Sequence, residues 1–175
     1  MAVREILLLG NPLLRTQCER VGEFSDSAVQ QTVSDLFDTL AEFRRTHGFG
    51  RGIAAPQVGV TKRITVINVD TPIVLINPEI ADRSAELMTL WDDCFSFPEI
   101  LVKVRRNVKI TVAYQDVTGK HQKLEAEGSL SELLQHEIDH LDGILAVDRA
   151  LNVQHIILRS ERDKFDRVVE HGTLL

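Results

Sequence analysis

The residues of this chain best suited to chemistry are two histidines, His136 and His140, and a glutamate, Glu137, within His136-Glu137-Ile138-Asp139-His140. On a helix, residues four apart share a face, so both imidazoles can hold one ion. Glu137 lies on the adjoining face, within reach of water on that ion, which is the HExxH arrangement of metal hydrolases. Two imidazoles leave the ion short of a third protein donor, and a fourth position must stay open for water. Cys94 is one candidate, in the unusual stretch Trp91-Asp92-Asp93-Cys94-Phe95-Ser96-Phe97-Pro98. Most free cysteines are simply small buried residues. That is the expectation for Cys18, and the residues alone leave Cys94 open. His155 and Glu161 lie downstream, where zinc peptidases often take a third ligand, but a solvated polar face accounts for both. His47 and His121 suit a loop and a strand.

A second chemical segment is Gly50-Arg51-Gly52-Ile53-Ala54-Ala55-Pro56-Gln57. Small residues let a substrate backbone approach closely, and Gln57 can donate to a developing oxyanion. A tight loop packed on a sheet is the plainer account. No Lys-Ser/Thr pair follows the glycines, which argues against a phosphate cradle.

These groups need elements to position them. Val29, Val33, Leu36, Phe37, Leu40 and Phe43 recur at three- and four-residue intervals, predicting a helix over Ser27–Thr46 with Ser25 or Asp26 as N-cap. Short β-branched runs follow at Ile64–Val69 and Ile73–Ile76, around the turn Asp70-Thr71-Pro72. Further strands are expected near Glu86–Leu90, Ile100–Val104, Val108–Tyr114 and His121–Ala126. A helix from about Leu130 carries the histidines and ends at Gly143. A last amphipathic helix is expected from Val153 to Val169. Helix, then strands, then helices predicts an α+β fold.

The chain has 175 residues, 43% of them hydrophobic and 26% charged, enough for one domain spanning 1–175. A net charge of -6 argues against nonspecific nucleic-acid binding. Two cysteines imply no disulfide framework. The apolar run Ile6–Leu9 is too short for a signal peptide or a membrane span. The expectation is a cytoplasmic monomer with free thiols.

Together the segments resemble the peptide deformylase family. Its pattern is a glycine-rich segment ending Ala-Ala-x-Gln, then Glu-Gly-Cys-Leu-Ser, then Gln-His-Glu-x-Asp-His-Leu. Here these are Gly50 to Gln57, Asp92 to Ser96, and Gln135 to Leu141, in the same order and at similar spacing. The resemblance implies an α+β fold with sheets around a central HExxH helix. It implies Cys94, His136 and His140 as ligands of one divalent ion, iron(II) natively, with zinc, nickel or cobalt as substitutes. Water on the ion would attack a formyl carbonyl, Glu137 would carry the proton, and Gln57 with the Phe95 backbone N–H would stabilise the oxyanion. The substrate implied is the N-formyl-methionine end of a nascent polypeptide, so a transient ribosome contact stays open; formate is released. The pocket would be formed by Gly50, Arg51, Gly52, Ile53, Asp93, Ser129, Glu132 and Leu133.

Four departures concern that pocket. Arg51 stands where the family is usually apolar, Asp92-Asp93 replaces Glu-Gly, and Phe95 replaces Leu. Asp92 keeps the charge and is expected to pair with Arg105 or Arg106. Asp93 is costly if its position needs a positive φ. Glu132 and Ser129, four and seven residues before His136, share the ligand face. A carboxylate in an apolar pocket needs a partner, so Glu132 is expected to face solvent or pair with Arg51. Three readings follow: a deformylase, a relative acting on a different formyl or acyl amine, and a non-catalytic metal-binding protein.

Overall fold

The computed structural model describes residues 2–170. Asp26 accepts from the Ala28 N–H and starts α1, Ser27–His47, which ends where Gly48 takes a left-handed turn. Seven strands follow in chain order: β1 Gly52–Ala54, β2 Ile64–Asn68, β3 Pro72–Arg83, β4 Leu87–Asp93, β5 Ile100–Asn107, β6 Lys109–Gln115 and β7 His121–Glu127. Then come α2, Ser129–Leu141, the short β8, Ile156–Leu158, and α3, Arg162–Glu170. One sheet runs β1-β2-β3-β6-β7 and the other β4-β5-β8, with every pairing antiparallel. The α+β expectation holds.

The five-stranded sheet is covered on both faces, so β2 is buried along nearly its whole length. Ile64 and Val66 join Leu36, Leu40 and Phe43 of α1 in one apolar cluster. Ile67, Leu75, Ile110 and Val112 join Leu133, Leu134 and Ile138 of α2 in another. The second sheet, through Val102 and Val104, packs on Leu14, Cys94 and Leu145. α2 is therefore enclosed on all sides, buried from Ser131 to Leu141. Its polar side chains are held in place: Gln135 and Ser131 both bond the Asn107 backbone of β5.

Three expectations need correcting. The run at Ile73–Ile76 is part of a twelve-residue strand that continues through Asn77-Pro78 by a register shift. Asn77 has φ 51° and its side chain bonds both the N–H and the carbonyl of Val21; asparagine tolerates this conformation when locally bonded. β1 lies within the glycine-rich segment, where no strand was expected. The helix expected over Val153–Val169 starts only at Arg162, because Ile156–Leu158 pair with Ile100–Val102 instead. The two adjoining isoleucines favour that extended pairing. Among the described residues, no helix is long and apolar enough to cross a membrane.

Candidate metal centre

α2 presents His136 and His140 on one face with their Nε2 atoms 3.1 Å apart, and Cys94 Sγ lies 3.3 Å from His140 Nε2. All three ligand atoms lie within 4.8 Å of one another, and all three residues are buried. A tetrahedral ion with ordinary bond lengths separates its donors by about 3.3 Å for N to N and about 3.6 Å for N to S. The two separations that involve His140 match these to within a few tenths of an ångström. Two imidazole nitrogens and a thiol buried together are the soft and borderline donors that bind a divalent ion, so the donor set fits a cation.

The rings are oriented from behind. His136 Nδ1 faces Asp92 Oδ1 at 2.8 Å, leaving Nε2 for an ion. Asp92 accepts from Arg106 at 3.0 Å; Arg106 also pairs with Asp139, which Arg149 backs at 2.8 Å. Asp92 therefore pairs with Arg106, the inward residue of β5, rather than with exposed Arg105. Burial works against a charge on Asp92, yet His136 and Arg106 hold its carboxyl at about 2. Burial also opposes a proton on His136, but Asp92 raises it well above the ordinary imidazole value. Burial and the neighbouring His136 keep His140 well below that value, so its imidazole is neutral, the form able to bind a metal.

Glu137 lies on the adjoining face of α2 against β1. Burial pushes its carboxyl up to about 7, and the Thr65 hydroxyl is 3.4 Å from Oε2. A Cβ built on Gly52 would sit 2.7 Å from Glu137 Oε1. That position has no room for a side chain, so Gly52→Ala is expected to displace the carboxylate. Turnover by the metal-loaded protein should fall by at least about tenfold at unchanged metal content. Gly50, with φ 123°, is closed by the Phe95 ring in the same way.

Gln57 is fixed by its Oε1, which accepts from the Ala54 N–H at 2.9 Å. Its Nε2 then points at Ser96 Oγ and Cys94 Sγ, at 3.3 and 3.6 Å. Phe95 stacks on Phe43 with centroids 3.7 Å apart. The first residues of the chain stitch these segments together: Leu7 N–H donates to the Gln57 carbonyl and Leu9 N–H to that of Ser96.

A cavity of about 380 Å³ opens on this group. Gly50, Arg51, Gly52, Gln57, Asp93, Cys94, Phe95, Glu132, Leu133, His136 and Glu137 line it. Two expected pocket residues are elsewhere. Ile53 faces away, into the core under α1, because strand residues alternate and Gly52 already faces Glu137. Ser129 is exposed at the start of α2, two turns from His136, and contributes only its carbonyl, which accepts from Arg51 at 2.9 Å. Trp91, Phe49 and Arg44 also line the cavity; no motif marked them.

The departures are accommodated. Glu132 pairs with Arg51 at 2.5 Å, its side chain only 8% exposed. Asp93 carries no positive φ, since Asn77 is the one non-glycine among the described residues that does. Its carboxylate bonds Arg159 at 3.0 Å. Cys18 is buried, and burial pushes its thiol up to about 11, which leaves it inert. Glu161 pairs with Lys164 on the surface, and His155 packs beside Phe165, so neither joins the cluster.

Comparison with known proteins bears on the same residues. The family model for polypeptide deformylase matches residues 3–155. A peptide deformylase of Dictyoglomus thermophilum is 41% identical over 85% of this chain and 94% of its own length. One from Thermotoga neapolitana is 37% identical over 88% and 91%. A crystal structure of a peptide deformylase from Legionella pneumophila superposes with a TM-score of 0.81 at 36% identity, covering 97% of this chain and 98% of that one. The peptide deformylase of Synechococcus elongatus in complex with actinonin gives a TM-score of 0.78 at 34% identity, covering 98% and 87%. With this match spanning most of its length, the chain belongs to the peptide deformylase family of metal-dependent hydrolases.

Proposed function

We propose that this protein removes the N-formyl group from the N-terminal methionine of nascent polypeptides and releases formate. The observation that carries the reading is the cluster of Cys94, His136 and His140 at a cavity that Glu137 and Gln57 also line. Cys94, His136 and His140 would hold a divalent ion, iron(II) in this reading with zinc, nickel or cobalt as substitutes, which would supply Lewis-acid chemistry. The donor set suits any of these ions. Glu137 takes the proton from the attacking water and returns it to the leaving amine, a task for which a carboxyl near neutrality is suited. Gln57 Nε2 and the Phe95 N–H donate to the oxyanion of the tetrahedral intermediate. Leu133 and the glycines receive the first residue of the substrate. Family membership favours this reading over a different acyl substrate or a non-catalytic role. We place the enzyme in the cytoplasm as a monomer meeting chains as they leave the ribosome.

The test is formate release from formyl-Met-Ala-Ser by protein loaded with iron(II) or cobalt without oxygen. Turnover supports the reading, and its absence at full metal occupancy rejects it.

The Arg51–Glu132 pair gives the pocket a polar wall. Burial, with Asp92 nearby, raises the Glu132 carboxyl above its ordinary value, and Arg51 opposes that rise. Arg51→Ala leaves the carboxylate enclosed and unpaired, so its folded-state pKa moves further up. A group raised in the folded state loses stability as pH climbs from the unfolded value toward the folded one. The variant should therefore melt close to wild type near pH 5 and be destabilised by about 1–3 kcal/mol at pH 8, the lower end reflecting the partial exposure of Arg51. Equal deficits at both pH values in thermal melts would refute this account.

A further inference from the structure

The family model ends at His155, yet the chain beyond it returns to the cleft in two places. Arg159 donates from its backbone to the Glu99 carbonyl at 2.7 Å, from Nε to that of Pro98 at 3.1 Å, and from Nη2 to Asp93 at 3.0 Å. Its guanidinium then lies 4.2 Å over the ring of Phe49, a favourable cation–π distance. Phe49 stands between Gly48 and Gly50, both at positive φ, so packing rather than backbone stiffness fixes it. At a second wall residue, Phe165 meets Trp91 edge-on at 5.3 Å, and Asp166 accepts from Trp91 Nε1 at 3.4 Å. Phe49 and Trp91 both line the cavity, together with Cys94 and His136.

We propose that residues 156–166 complete the substrate cleft, with Arg159 and Phe165 as positioning residues for the aromatic walls Phe49 and Trp91 that grip the formylated peptide. The proposal rests on the deformylase reading. It also gives Asp93 a purpose: where the family has glycine, this chain has the carboxylate that anchors Arg159. Arg159 acts close to Cys94 through Asp93, whereas Phe165 touches only Trp91 and its surroundings. Agreement between the two positions therefore separates a cleft effect from an effect on the metal.

The test uses the full-length, cobalt-loaded protein with Arg159→Ala and Phe165→Ala. Both should raise KM for formyl-Met-Ala-Ser about tenfold while kcat stays within about twofold. Trp91 is the only tryptophan of the chain, so its emission should change on titration with the product Met-Ala-Ser, and the variants should need about tenfold more peptide. Unchanged KM in both variants overturns the proposal, as does a fall in kcat accompanied by metal loss. If an alanine variant does not stay folded, Arg159→Lys and Phe165→Leu carry the same comparison with smaller shifts. A wild type that releases no formate rejects the deformylase reading; a wild type that does, with KM unmoved in the variants, rejects only the cleft proposal.

Discussion

Glu137→Gln is expected to lower kcat for formyl-Met-Ala-Ser about a thousandfold, within the span usual for losing a general acid–base group. The amide keeps the size and the Thr65 neighbour of the carboxyl but cannot take a proton. KM and metal content should stay near wild type, because Glu137 is not among the donors. Activity within tenfold of wild type would assign the proton transfer to another group. The same variant has a stability signature in the metal-free protein. The Glu137 carboxyl is raised from 4.5 to about 7 by burial, so the folded state holds its proton more tightly than the unfolded chain. Its contribution is fully present below about pH 4.5 and is lost as pH rises through about 7, a difference of roughly 3 kcal/mol. Denaturant melts of metal-free wild type should show that decline relative to Glu137→Gln. Parallel pH profiles would mean the carboxyl is not so perturbed.

Cys94→Ala should abolish turnover, by more than about a thousandfold, by removing one of the three proposed donors. The stability comparison is more specific. An ion present at a hundred times its dissociation constant stabilises by about 2.7 kcal/mol. For a chain of this size that raises Tm by roughly 5–10 °C. Wild type should show this shift between chelator and added cobalt, and Cys94→Ala should show almost none. Stoichiometric metal and full activity in the variant would place the third donor elsewhere. Cys18→Ala should leave occupancy intact, since Cys18 packs with Ala54 and Leu141 away from the cavity.

The sequence carries the local part of this architecture and loses the part made by long-range packing. The four-residue spacing of His136 and His140 places both on one face whatever surrounds them, and the α1 periodicity works in the same way. Nothing local selects Cys94: it becomes a donor candidate because β4 ends beside α2, 42 positions on. The choice of Arg106 over Arg105 was in principle accessible, because Val102, Val104 and Arg106 alternate inward. β8 is not legible locally, because Ile156–Leu158 has no strand signal strong enough to break an amphipathic pattern until β5 is there to pair with it. Ser129 lies outside the cavity for another reason. It shares the face of His136, but two helical turns are about 10 Å, beyond the reach of the cavity. The ring of Phe49 and the guanidinium of Arg159 are 110 positions apart, and only the folded chain brings them together.

One consequence of the line from Arg149 through Asp139, Arg106 and Asp92 to His136 concerns the exchange of the ion. Charges alternate along it, and each buried group is answered by the next. The ring of His136 is therefore aimed by partners that stay behind when the ion leaves. Stripping the protein with chelator should leave a socket that retains its shape, and reloading should need no refolding. Different ions would then enter the same fixed frame, and differences in activity among them would report the chemistry of each ion rather than a rearrangement of the protein around it.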